Sequence, residues 1–138
     1  MNLRDQLLDS SRIYQIVSVY NALSTKIANM YNFDWIMVGG YNTSGSWLGM
    51  PDVGLMTMME QVEAVRRVSA YSESPIIADG DDGYGNYLNV IRLVKEMELA
   101  GANAIQLEDQ MFPKKCGHFK GKHLIGQDEF VAKIKAFV

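Results

Sequence analysis

One cysteine, two histidines and three prolines are few for a chain of 138 residues. A lone thiol closes no internal disulfide, so the chain is expected in a reducing compartment, the cytoplasm. His118 and His123 follow Cys116, but their spacing matches no zinc pattern, and one cysteine is too few for a structural zinc site. Charge of one sign is scarce too. Lys and Arg number 13 against 16 Asp and Glu, a formal net charge of −3, whereas a nucleic-acid surface usually shows a basic stripe. No apolar run approaches the ~20 residues that span a bilayer, and "MNLRDQLLDS" is too charged for the core of a signal peptide. No low-complexity tract or linker interrupts the chain. With 48% apolar and 21% charged residues it reads as one globular domain. Its nine methionines are scattered, as core gap-fillers are.

The chain alternates between two periodicities. "RIYQIVSVY" (12–20) reads as a strand. "ALSTKIANMYNF" follows, with Leu23, Ile27, Met30 and Tyr31 at helical spacing. "DWIMVGG" is a second strand, and the small residues of "GGYNTSGS" then suggest a loop. In "TMMEQVEAVRRVSAYS", Thr57 and Glu60 stand at capping-box spacing, and Met58, Val62, Val65 and Val68 mark one face. "SPIIADGDDG" is a third strand running into a turn. "NYLNVIRLVKEMELAG" is a helix with Tyr87, Val90, Ile91, Val94 and Met97 inward and Gly101 as its stop. "NAIQLEDQ" is a fourth strand, and "QDEFVAKIKAFV" a helix with an acidic first turn. Four strand–helix units in succession imply an α/β fold with parallel strands. A (β/α)8 barrel takes about 250 residues, so periodicity alone favours an open doubly wound sheet.

The strongest chemical signal is "ADGDDGYGN". Asp79 and Asp81 point to one side and Asp82 to the other. Carboxylates at the C-terminal end of a parallel strand lie where α/β proteins build sites. Like charges held close call for a cation, and a hard one such as Mg²⁺ suits oxygen ligands. An acidic turn is the plainer reading of the same letters. Glu108, at the mouth of the next strand, brings a third carboxylate, which an ordinary turn does not need. Asp52 of "GMPD" is either a fourth or a helix-entry residue. Glycines in "GGYNTSGS" let backbone N–H groups approach an anion. In "PKKCGHFKGK", lysines and His118 surround Cys116, an arrangement that favours thiolate. Gly117 and Gly121 make that loop pliable, as a lid needs, although a solvated surface loop would look similar.

These stretches in order, "YNALS", "SWLGMPDVGL", "ADGDDGYGN", "LEDQ" and "KKCGH", resemble the isocitrate lyase / phosphoenolpyruvate mutase superfamily over about Tyr20–Gly126. The resemblance implies a (β/α)8 barrel in place of the open sheet, with this chain as its N-terminal half, residues 1–138. It implies Mg²⁺, with Mn²⁺ as a substitute, near Asp52, Asp79, Asp81 and Glu108. It implies a substrate carboxylate at Gly40, Tyr41 and Asn42, with Gly117 in the gating loop. In the lyase branch Cys116 would exchange a proton with the enolate of the departing pyruvate or glyoxylate unit, with Lys114 and His118 tuning it. Gln106 stands where methylisocitrate lyases usually carry histidine.

The function implied is Mg²⁺-dependent C–C cleavage of a 2-hydroxy di- or tricarboxylate. The alternatives are P–C bond chemistry on phosphonopyruvate-like substrates and a non-catalytic half-barrel. Family members are usually tetramers that exchange a C-terminal helix. A half-barrel leaves two strand edges open, so the segment is expected to work in a homo-oligomer, with a second polypeptide, or within a longer chain. No nucleic-acid or membrane partner is expected.

Overall fold

The computed structural model describes residues 3–138; Met1 and Asn2, which open the stretch weighed as a leader, lie outside the described residues. Strands β1 (Ile16–Ser18), β2 (Trp35–Val38), β3 (Ile76–Asp79) and β4 (Ala104–Gln106) form one sheet in that order. Every neighbouring pair is parallel. Spatial order follows chain order, without the reversal that a doubly wound sheet has. The open-sheet expectation is therefore corrected. Four consecutive strand–helix units run in one direction, as in a (β/α)8 barrel.

The helices are α1 (Leu3–Leu8), α2 (Ala22–Asn29), α3 (Gly40–Trp47), α4 (Met58–Ser69), α5 (Tyr87–Ala100) and α6 (Gln127–Phe137). Ile36 pairs in register with Ile76, and Val38 with Ala78. These four belong to the core with Val62, Val65 and Val68 of α4 and Leu93 and Met97 of α5. Full burial of each valine contributes about 1.5–3 kcal/mol. Met37 and Ile77, which pair with each other on the opposite face, are only half-buried. Asp79 follows Ile77 on that second face, so the strand's alternation delivers its carboxylate to the inner side of the sheet.

Helix α4 starts as the sequence predicts. Thr57 accepts from the Glu60 N–H, and Glu60 reaches back to the Thr57 N–H over 2.7 Å. Gly101 ends α5 at φ +99°, a conformation that favours glycine. Elsewhere the structure corrects the reading. Leu23, Ile27, Met30 and Tyr31 do not face the core; all are exposed, and the small Thr25 and Ala28 are buried instead. On α5 the inward face is Val90, Leu93, Met97 and Ala100, while Tyr87 and Ile91 turn outward. Strand β1 is three residues long, because Asp34 takes the Arg12 guanidinium and the Gln15 N–H before the ladder begins. Helix α1 was not anticipated. Among the described residues, no helix is long and apolar enough to cross a membrane.

Candidate active site

The stretch read as a glycine-rich loop is helix α3. Its composition favours no helix, so tertiary contacts hold it. Thr43 Oγ1 donates to Gln61 Oε1 over 2.8 Å, and the Gln61 Nε2 donates to the Val38 carbonyl at the end of β2. Ser44 Oγ lies within hydrogen-bonding reach of the Met50 and Pro51 carbonyls, at 3.0 and 3.2 Å. That contact fixes the approach to Asp52.

The N-terminus of α3 abuts the end of β3. The Gly40 N–H donates to Asp79 Oδ2 over 2.8 Å, and the Asp81 N–H to Asp79 Oδ1 over 2.9 Å. Asp81 sits at φ +47°, sparsely populated for an L residue, which turns its side chain back beside Asp79. A Cβ placed on Gly40 would lie 3.1 Å from Asp79 Oδ2 and 3.3 Å from both Asp52 Oδ1 and Asp81 Oδ1. Three carboxylates from two segments, the end of β3 and the connection after α3, thus converge on one point, which only glycine leaves open.

Lys114 meets this group. Its Nζ lies 2.9 Å from Asp52 Oδ2 and forms an ion pair with Asp81 Oδ1. The lysine is 2% exposed, and the carboxylates hold its pKa above the ordinary value despite burial. One ammonium against three carboxylates leaves an excess of negative charge. Burial first, then Asp79, pushes Asp81 up to about 7. Asp81 Oδ1 accepts no hydrogen bond of ordinary geometry.

These features fit a hard divalent cation: oxygen donors only, excess negative charge, and a cradle that a Cβ would fill. Among the described residues no three acidic, histidine or cysteine side chains close into a finished cage. Lys114 interposes, and Glu108 stands aside. Glu108 lies beyond β4, half-buried, its N–H donating to the Asp81 carbonyl and its Oε2 accepting from Gln110 Nε2 at 2.7 Å. Burial, chiefly, raises its pKa. Asp82, expected on the other side, lines one cavity together with Asp81 and accepts from the Tyr84 N–H.

The Cys116 loop is stitched down. Gln110 and Leu124 form an antiparallel bridge at its base. Lys115 Nζ donates to the Gly121 carbonyl, and Lys122 Nζ to those of Gly117 and Phe119. Of the lysines expected around the thiol, two thus donate to loop carbonyls, and Lys114 serves carboxylates. The partner of Cys116 is His118, with Sγ 3.2 Å from Nδ1, and the thiol is 5% exposed. The His118 ring lies 5.7 Å from that of Tyr41, so the loop meets the start of α3. Asn42 Nδ2 donates to Ser18 Oγ at the end of β1 over 2.7 Å. Gly117 is exposed and has open space around it.

Sequence reasoning missed Tyr84, Gln110 and Gln61. Tyr84 sits against Asp81, and burial and that charge raise its pKa. It lines a cavity of about 360 Å³ with Asp81, Phe112 and Lys114. The letters gave one usable signal, a glutamine two residues after Glu108 in "LEDQ".

Residues 3–138 match the family model of phosphoenolpyruvate phosphomutase. The 2,3-dimethylmalate lyase of Eubacterium barkeri is 43% identical over 133 residues, 96% of this chain and 46% of that protein. A crystal structure of a 2,3-dimethylmalate lyase superposes with TM-score 0.91 at 32% identity, covering 98% of this chain and 45% of the other. A phosphonopyruvate hydrolase solved with oxalate and Mg²⁺ superposes at 0.84 and 34% identity, covering 99% and 47%. The chain thus spans about half the length of these relatives.

Proposed function

The chain belongs to the phosphoenolpyruvate phosphomutase family, and on that footing we propose that it forms the N-terminal half of a (β/α)8 C–C bond lyase. The substrate would be a 2-hydroxy di- or tricarboxylate of the 2,3-dimethylmalate or 2-methylisocitrate kind. Products would be pyruvate or another 2-oxo acid and a second carboxylate. The supporting observation is the Cys116–His118 pair, set in a stitched loop beside three converging carboxylates.

Asp52, Asp79 and Asp81, with Glu108 alongside, would hold Mg²⁺ or Mn²⁺. When bound, the ion supplies a Lewis acid and template for the oxygens of the 2-oxo-acid half. The other roles fall to the protein. The N–H groups of Tyr41 and Asn42, at the positive end of α3, would receive a substrate carboxylate. Gly40 contributes closeness rather than a donor, since its N–H is bound to Asp79. Lys114 keeps Asp52 and Asp81 together. Gly117 would let loop backbone approach the substrate.

Bond balance settles where the proton of Cys116 goes. The 2-hydroxyl loses its proton to a base, the C2–C3 bond breaks, and C2–O becomes a carbonyl. The electron pair stays on C3, in the half that leaves as the second carboxylate. Cys116 Sγ–H would protonate that carbon, correcting the expected delivery to the oxo-acid half. His118 Nδ1 would stabilise the thiolate left behind. Differential stabilisation of the developing charge is what accelerates the step.

The likeness to a phosphonopyruvate hydrolase supports a second reading, P–C bond chemistry on the same carboxylates. Turnover assays of the complete protein on 2,3-dimethylmalate, 2-methylisocitrate and phosphonopyruvate separate the two. Cleavage of phosphonopyruvate alone would sink the lyase reading. Completion of the barrel by further chain, by a second polypeptide or within a cytoplasmic homotetramer belongs to the same proposal. It is motivated by the exposed Leu23, Ile27, Met30 and Tyr31 and the outer edges of β1 and β4. Light scattering on the purified protein tests it; a catalytically active 138-residue monomer would refute it.

A further inference from the structure

We infer that Gln110 is a positioning residue that couples the metal-site acid Glu108 to the seating of the Cys116 loop. The inference rests on the lyase reading above and adds a residue to it. Gln110 is 5% exposed, and its amide is fully engaged. Nε2 donates to Glu108 Oε2 over 2.7 Å and to the Lys115 carbonyl over 2.9 Å, while Oε1 accepts from the Lys115 N–H over 3.0 Å. Both backbone groups of Lys115, the residue before Cys116, are thus held by the side chain that also orients Glu108.

The backbone of Gln110 is fixed as well. It bridges to Leu124, with the Met111 N–H on the His123 carbonyl and the Ile125 N–H on the Asp109 carbonyl, at 2.8 and 2.9 Å. The amide therefore projects from a rigid base into the loop. A carboxylate that moves to take up a cation must shift, or release, the Nε2 it shares. That pulls on Lys115 and so on the thiol. A cation held by Glu108 and a loop seated over substrate are then two ends of one hydrogen-bonded link. No apolar residue could replace Gln110 without removing its partners' hydrogen bonds at the Lys115 N–H, the Lys115 carbonyl and one oxygen of the half-buried Glu108.

The test follows Cys116 alkylation by iodoacetamide in the full-length protein, with and without Mg²⁺, and measures Mn²⁺ affinity by electron paramagnetic resonance. In the natural protein Mg²⁺ should change the alkylation rate. In Gln110→Leu the metal-free rate should rise about tenfold, the effect of losing hydrogen bonds of this kind. The response to Mg²⁺ should vanish, and Mn²⁺ affinity should fall. Gln110→Glu keeps the size and the acceptor for the Lys115 N–H but can donate neither to Glu108 nor to the Lys115 carbonyl. With one of the two Lys115 bonds kept, its metal-free rate should rise less than that of Gln110→Leu, and its Mg²⁺ response should vanish, which a merely structural role would not predict. A Mg²⁺ response preserved in either folded variant overturns the coupling. Should Gln110→Leu not fold, the glutamate variant decides alone. Alkylation needs no turnover, so a protein inactive on every hydroxy acid would sink the lyase reading and leave this result standing.

Discussion

Gly40 donates its backbone N–H to Asp79 Oδ2 over 2.8 Å, so the last side chain of β3 fixes the first residue of α3. The contact joins the carboxylate group to the proposed anion site, and it makes position 40 intolerant of a side chain.

Gly40→Ala should therefore fold and bind metal poorly. The added methyl would meet three carboxylate oxygens at 3.1–3.3 Å, which must each give way. Mg²⁺ affinity measured by calorimetry should fall about tenfold or more, within the range that disturbed ligand positions cost. Unchanged affinity would remove the cation from this cradle.

Asp81→Ala should abolish activity and leave the fold intact. Lys114 keeps Asp52 as its partner, and Asp79 loses a like-charged neighbour. Thermal unfolding in chelator should resemble that of the natural protein. Collapse of the melt would make Asp81 a structural residue.

Cys116→Ser should bind substrate and turn it over about 10²–10⁴-fold more slowly, the usual cost of losing a general acid. A serine hydroxyl does not yield its proton near neutral pH. A natural rate in the serine variant would leave Cys116 with packing alone and favour P–C chemistry.

The cap of α4 gives a prediction independent of function. Thr57→Ala should cost about 1 kcal/mol of stability. Hydrogen bonds from Thr57, its backbone N–H first, hold the Glu60 carboxyl below its ordinary value. The sign follows: stability from Glu60 is present above its unfolded pKa and fades as pH falls through the lower folded one. Circular-dichroism melts between about pH 6 and 3 should show this loss, and Glu60→Gln should flatten it. An equal acid dependence in the glutamine variant would assign the loss to other carboxylates.

What was legible in the sequence depended on how local the cause was. The cap of α4, its valine face and the Gly101 stop are set by neighbours within a turn or two, and all appear as read. Helix α3 escaped because "GYNTSGSW" has little helix preference of its own, and Gln61, 18 residues from Thr43, holds it. The outward Leu23, Ile27, Met30 and Tyr31 show that helical spacing marks an apolar face without saying what covers it. Asp79 was found because strand alternation predicts direction; Asp81 lies past the end of β3, and its φ of +47°, not alternation, brings it beside Asp79. The engagement of the loop lysines was not found, since their partners are carbonyls and carboxylates that only the folded loop brings near.

The most direct measurement of the central claim is proton NMR of the complete protein turning over 2,3-dimethylmalate in D₂O with Mg²⁺. The account predicts pyruvate and a second carboxylate carrying one solvent-derived deuterium at the carbon that was C3. Excess chelator should abolish the signal, and Cys116→Ser should slow it. Cleavage that persists in chelator, or a second product without deuterium, would contradict the account.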